Sequence, residues 1–149
     1  MQAKLLRNIL ITLLFFLGLG AIGGGQVLII SPNGTLMGMP LSILSYTPFR
    51  SFLLSGIILF SILGIAPLLL TIAHIKKLAS ELAELFNFFK DPHWAWSYTI
   101  YIAFALIIWI QIQMLLLNSV SWLHTFYVFL AITILFAALL PLLRNQYKK

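Results

Sequence analysis

The residues best suited to binding a ligand are few, and they lie in or beside long apolar runs. Gln26 and Gln113 are amides inside such runs, Arg50 and His124 stand at the ends of runs, and Tyr46 comes shortly before the arginine. A buried amide needs a hydrogen-bond partner, and an arginine pairs well with a phosphate or carboxylate. Together these five side chains could form a pocket for an amphiphile with an anionic headgroup.

A simpler interpretation of the same residues is hydrogen bonding between helices. Gln111 and Gln113 are two positions apart, which separates them by about 200° around a helix, so at most one of them can face a narrow pocket. Arg50 could instead extend to a lipid phosphate, and His124 could be an interfacial hydrogen-bonding residue. The sequence leaves both interpretations open.

Residues for catalysis or metal binding are not grouped in this sequence. No acidic residue lies within an apolar run, and Glu81 and Glu84 stand near Lys77 in a polar stretch. The three histidines are far apart, and the chain has no cysteine, which excludes disulfides and thiolate metal sites. We therefore expect no catalytic centre, no metal site and no cofactor.

The composition assigns these residues to a membrane protein. Apolar residues make up 62% of the 149 residues and charged residues 8%, whereas soluble chains have about 45–50% and about 25%. The net charge of +6 would suggest nucleic acid in a soluble protein. Here the basic residues flank apolar runs, so topology and anionic lipid explain them, and we expect membrane lipid rather than nucleic acid as a partner.

Four apolar segments predict four transmembrane helices within a single domain, residues 1–149. Each holds about 20 residues, which matches a hydrocarbon core of about 30 Å. In lipid every backbone amide must be paired within the protein, which favours helices over open strands. The sequence thus predicts an all-α integral membrane four-helix bundle with helices over residues 8–30, 51–73, 97–117 and 123–143.

Lysine and arginine predict the orientation of the bundle. With the N-terminus inside, Arg50 is the sole basic residue on the outer side, and the other eight lie on the inner side: Lys4, Arg7, Lys76, Lys77, Lys90, Arg144, Lys148 and Lys149. Because basic residues are retained on the cytoplasmic side, both termini are expected in the cytoplasm.

Two connections have amphipathic character. The outer loop, residues 31–49, is too apolar to be a free loop, so we expect it to cover the outer end of the bundle; Thr47 and Pro48 predict an N-cap and first turn for the second helix. The inner connection, residues 74–96, predicts a short interfacial helix, because apolar residues recur at three- and four-residue spacing: Leu78, Leu82, Leu85, Phe86 and Phe89.

Small residues and a proline suggest packing and bending within the first two helices. Gly20 and Gly24 lie four apart on one face of the first helix, where they would let another helix approach closely. Pro67 removes one backbone hydrogen bond from the second helix and predicts a kink, with a hinge as the alternative.

The chain resembles a family of small bacterial four-helix membrane proteins that has no assigned activity. The resemblance lies in Gly23-Gly24-Gly25, Pro32-Asn33-Gly34, Gly38-Met39-Pro40, Thr47-Pro48-Phe49 and Gly56, and later in Trp109, Gln113 and Ser121-Trp122-Leu123. It implies a bacterial inner-membrane protein whose outer loop is a defined element. Thr47 stands where the family pattern has serine, and it keeps the capping chemistry.

Three functional hypotheses follow from these observations. The first is a non-enzymatic multi-pass membrane protein, either an accessory subunit of a larger complex or a homo-oligomer packed through Gly20 and Gly24. The second is a binder or transporter of a lipid-like amphiphile that uses Gln26, Tyr46, Arg50, Gln113 and His124. A lipid-modifying enzyme ranks third, because the apolar runs contain no catalytic acid.

Overall fold

In a computed structural model, which describes residues 2–35, 50–117 and 122–148, the chain is helical apart from turns and one isolated antiparallel bridge. Residues 36–49 of the outer loop, including Tyr46, Thr47 and Pro48, lie outside the described residues. The helices are α1 (Gln2–Ile30), α2 (Leu53–Phe60), α3 (Ala66–Lys76), α4 (Glu81–Leu85), α5 (Trp94–Leu117), α6 (Trp122–Leu139) and α7 (Pro141–Gln146).

A π-helical turn, Ser61–Ile65, joins α2 to α3 in one continuous rod. Pro67 follows directly, in the first turn of α3. Because proline has no N–H to donate, the backbone cannot keep a regular α-helical pattern there, and the N–H of Ala66 instead donates to the carbonyl of Ser61. The sequence-based kink at Pro67 therefore takes the form of a π turn just before the proline.

Some helices are longer than the apolar runs that predicted them, because flanking polar residues continue the helix. The first apolar run begins at residue 8, whereas α1 begins at Gln2. The rod of α2 and α3 continues to Lys76 and stops at Lys77, which has a left-handed φ of 48°. The last apolar run covers two helices, because Leu140 is extended and Pro141 starts α7 anew.

Long helices pack side by side, α1 against α2 and α3, α5 against α6, and α3 against α5. Gln146 bonds the carbonyl of Ala3, whereas Tyr127 lies beside Gly20, so α6 and α7 run antiparallel to α1. Both chain termini therefore lie at the same end of the molecule. We call this end, with residues 2–7, 74–97 and 140–148, the terminal end; the opposite end carries residues 26–35, 50–52, 113–117 and 122–124.

Glycines bring α1 into backbone contact with α2 and with the π turn. A Cβ on Gly25 would lie 2.7 Å from the amide nitrogen of Phe60 and 2.8 Å from the carbonyl oxygen of Gly56. A Cβ on Gly18 would lie 3.0 Å from the carbonyl oxygen of Gly64, in the π turn. No side chain fits at these crossings, so the two helices meet here backbone to backbone.

Apolar surface covers the outside of the helices as well as the core. Three helical spans are long and apolar enough to cross a membrane, Gln2–Ile30, Leu53–Lys76 and Trp94–Leu115, and a shorter apolar helix spans His124–Leu139. Within the most apolar 18-residue stretch of each of these three spans, only 33%, 28% and 33% is buried inside the protein, respectively. Such large exposed apolar faces favour a non-aqueous environment.

The crossing at Gly25 can be tested against its neighbours. Gly25→Ala should lower the melting temperature in mild detergent, because overpacking against backbone atoms costs about 1–3 kcal/mol. Gly23→Ala and Gly24→Ala are matched controls, since a Cβ at either position meets nothing within 4 Å, and alanine favours the helix. Equal melting temperatures for all three variants would contradict the close approach of α1 to α2.

Candidate functional site

The structure places the residues proposed from the sequence at the opposite end of the molecule. Gln26 and Arg50 are exposed, and Gln113 and His124 are partly exposed, on four different segments of the chain. The fifth residue, Tyr46, lies outside the described residues. These side chains therefore share one end of the helices.

The two glycines proposed for helix packing face different surroundings. A Cβ on Gly24 would meet no atom within 4 Å, so this glycine faces open space on α1. A Cβ on Gly20 would lie 2.9 Å from the hydroxyl oxygen of Tyr127 on α6. The close helix contacts inside the chain use Gly18, Gly25, Gly56 and Gly64 instead.

A buried histidine forms the most developed polar centre, and it lies at the terminal end. His74, in the last turn of α3, is completely buried. Its Nδ1 lies 2.7 Å from the hydroxyl oxygen of Tyr147, and its Nε2 lies 2.7 Å from Oγ1 of Thr99 on α5. One side chain thus links α3, α5 and the C-terminal segment.

The hydrogen-bond pattern fixes the proton on the imidazole. Thr99 Oγ1 donates its single proton to the carbonyl of Ala95, 2.8 Å away, and must therefore accept from His74 Nε2. Nδ1 is then the acceptor of the neutral ring, and the hydroxyl of Tyr147 donates to it. Both ring nitrogens are satisfied, which lets a neutral histidine be buried without an unpaired group.

The C-terminal segment is held in place around Tyr147. The Tyr147 side chain is buried, and its ring meets the His74 ring edge to face at 5.1 Å between centroids. The His93 amide donates to the carbonyl of Tyr147, and Gln146 Nε2 donates to the carbonyl of Ala3 at 2.6 Å. Burial raises the pKa of the Tyr147 phenol to about 12, so the hydroxyl keeps its proton at neutral pH.

Asn87 organises the connection between α4 and α5. This buried amide donates from Nδ2 to Glu84 Oε2 at 3.0 Å and to the carbonyl of Pro92 at 2.8 Å. Its Oδ1 accepts from the Ser97 hydroxyl and from two backbone amides. Glu84 Oε1 in turn accepts from the Trp94 amide at 3.1 Å, near the start of α5. The Glu84 carboxylate therefore helps to order this connection.

Aromatic residues at the start of α5 also hold this connection. Trp94, Tyr98 and Tyr101 recur at helical spacing, and their polar atoms donate at 2.9 Å to the carbonyls of Leu78, Ala83 and Phe86. Trp96 faces the other way and donates to the carbonyl of Ala138 near the end of α6, at 2.7 Å. These side chains direct their polar atoms at the protein backbone.

This polar centre was not predicted from the sequence, where the candidate ligand-binding residues lie at the opposite end. Five of the six buried polar residues in the described ranges lie in or near the terminal end: Thr71, His74, Asn87, Ser97 and Thr99. The position of His74, seven residues after Pro67 and four after the buried Leu70, places it on the buried face of the helix, and this spacing could have indicated its burial. Tyr147 gave no signal, because its partners are distant in sequence.

The polar centre satisfies its own hydrogen bonds, which is the chemistry of a structural site. His74 bonds directly to Tyr147 and Thr99, and Thr99 also donates to the carbonyl of Ala95. Asn87 bonds separately to the carbonyl of Pro92. Among the described residues, no three His, Cys, Asp or Glu side chains are grouped so that they could hold a metal ion.

Comparisons with protein families, with curated proteins and with solved structures find no match for this chain.

Two threonines provide a matched test of the histidine centre. Thr99 and Thr133 both donate to the carbonyl four residues earlier, but only Thr99 is buried and accepts from His74. Thr99→Val should destabilise the protein by about 1–3 kcal/mol, because His74 Nε2–H loses its acceptor. Thr133→Val should leave the melting temperature in detergent nearly unchanged, and equal losses for both variants would contradict the proposed role of His74.

Proposed function

We propose that this chain is a non-enzymatic, multi-pass inner-membrane protein with four transmembrane helices, acting as an accessory subunit of a larger membrane complex or as a homo-oligomer. The observation that carries this proposal is the combination of exposed apolar helix faces with polar groups that bond to each other inside the chain. The exposed faces suit lipid or another transmembrane helix, and the inward-directed polar groups are not arranged to meet a substrate.

The fourth span in this proposal is α6. Its 18 residues give a length of about 27 Å, close to the hydrocarbon thickness of about 30 Å. The antiparallel arrangement of α6 against α1 is consistent with four crossings, with both termini on one side. Eight basic residues on that side favour the cytoplasm, and the family resemblance favours a bacterial inner membrane.

Cysteine labelling tests this topology with no background, because the chain has no cysteine of its own. Thr35→Cys, at the opposite end, should react with a membrane-impermeant maleimide in intact cells. Glu81→Cys and Lys148→Cys, at the terminal end, should react only after the membrane is permeabilised; all three positions are exposed. Labelling of Glu81→Cys and Lys148→Cys in intact cells, or a chain that remains monodisperse without detergent, would contradict the proposal.

Gly24 is a suitable position for testing the assembly. Because no atom of the described residues lies within 4 Å of a Cβ there, Gly24→Leu should leave the single chain intact and block the approach of a further helix. Native mass spectrometry from mild detergent should show loss of the oligomer or partner in this variant. Ile30→Ala, on the same helix and 74% exposed, is a control for surface change.

The second candidate function is binding of a lipid-like amphiphile at the opposite end. It is favoured by the exposed Arg50 and Gln26 and the partly exposed Gln113 and His124 at that end. The same mass spectra separate the candidates. A retained amphiphile that Arg50→Ala removes, with no change in assembly for Gly24→Leu, would favour the second candidate over the first.

A further inference from the structure

Arg7 is partly buried on the face of α1 that packs into the core. The buried face of α1 includes Leu10, Leu14 and Leu17, and Ala3 and Arg7 continue the same three- and four-residue spacing toward the N-terminus. The carbonyl of Ala3 accepts from Gln146, so this face packs against the C-terminal segment. The Nε atom of Arg7 is buried and has no hydrogen-bond partner among the described residues.

A second cation shares the neighbourhood of Arg7 at Tyr147. The Arg7 cation is near enough to Tyr147 to oppose the rise that burial causes in the pKa of that phenol. Lys77 reaches the same residue from the end of α3, with Nζ 5.8 Å from the centre of the Tyr147 ring. Cations from α1 and α3 therefore lie near one tyrosine.

The acidic residues of the chain lie together in the connection between α3 and α5. All three lie in residues 81–91, and the carboxylate of Glu84 accepts from Asn87 and from the Trp94 amide. The two side chains that the structure brings toward Arg7, His74 and Tyr147, form a neutral hydrogen-bonded pair. The buried Nε of Arg7 has no partner among the described residues, and an oxygen of a bound anion would satisfy it.

We propose that Arg7 and Lys77 bind a phosphate group at the terminal end, beside Tyr147. A guanidinium can hold two phosphate oxygens at once, and the Lys77 ammonium supplies a second, mobile charge. The phosphate belongs to an anionic lipid headgroup or to free inorganic phosphate. The lipid source rests on the membrane topology proposed above, whereas binding of inorganic phosphate does not depend on it.

Exposed apolar side chains beside the site suit the lipid source. They begin directly after Lys77 and include Leu82 and Leu85, each 72% exposed, and Phe88, 79% exposed. Apolar side chains next to a cluster of cations are typical of segments that lie in the headgroup region of an anionic leaflet.

Two lysines with the same backbone conformation provide the sharpest test. Lys77 and Lys90 are both exposed and have left-handed φ values of 48° and 62°, so asparagine fits at either position and removes the same charge. In native mass spectrometry with added phosphatidylglycerol, Lys77→Asn should bind the lipid about tenfold more weakly than the wild type, as expected for one lost charge-assisted contact. Lys90→Asn should bind it as the wild type does.

Arg7→Gln, with Lys4→Gln as its control on an exposed position of the same helix, tests the guanidinium. If Arg7→Gln does not fold, the comparison of Lys77→Asn with Lys90→Asn decides the matter alone, because Lys77 is exposed. Equal weakening by the control variants would indicate general attraction of anions and overturn the proposal. Equal retention of phosphatidylglycerol and phosphatidylcholine, with no effect of inorganic phosphate, would overturn it as well.

Inorganic phosphate separates the two sources. A rise in melting temperature with added phosphate, lost in Lys77→Asn, supports the site with free phosphate as its ligand; an effect of phosphatidylglycerol alone supports the lipid headgroup. If cysteine labelling contradicts the membrane topology while the phosphate effect persists, the functional proposal fails and the site stands. If labelling agrees and neither ligand binds selectively, the site fails and the functional proposal stands.

Discussion

Polar groups removed from water must find their partners within the protein, and this requirement shapes the terminal end of the molecule. His74 is fully buried and would be unfavourable there without Tyr147 and Thr99 on its two ring nitrogens. Those two bonds bring the end of α3, the first turns of α5 and the C-terminal segment to one point. Trp96 and Asn87 extend the same principle, because each satisfies carbonyls that a helix end or turn leaves free.

Close backbone contact determines the other half of the packing. The crossings of α1 with the rod of α2 and α3 depend on Gly18, Gly25, Gly56 and Gly64, which leave no room for side chains. Apolar packing between helices gains little when lipid is the alternative, so short distances between backbones carry more of the association. The π turn before Pro67 belongs to this arrangement, because Gly64 lies within it and a Cβ there would lie 2.7 Å from Ile22.

The sequence predicted the helical class and the long apolar helices, because periodicity and length are local properties. It also predicted a short helix between the second and third runs, which the structure has at α4. The polar centre could not be predicted in the same way, since His74 and Tyr147 are 73 residues apart and their contact depends on the packing of α1, α3 and α7. For the glycines, spacing alone did not distinguish Gly24, which faces open space, from Gly25, which contacts α2. Their difference is a rotation of 100° around one helix.

The two ends of the molecule therefore have different characters. At the terminal end, hydrogen bonds bind the loop of α4 and the C-terminal segment to α1, α3 and α5, and among the described residues there basic ones outnumber acidic ones by seven to three. The opposite end carries Arg50 as its single basic residue, with amides on two helices. A fixed, cationic end suits the recognition of an anionic leaflet, whereas the open face at Gly24, nearer the other end, remains suitable for a neighbouring helix. The two proposals therefore concern different surfaces of the chain, anion binding at the terminal end and helix association at the open face of α1.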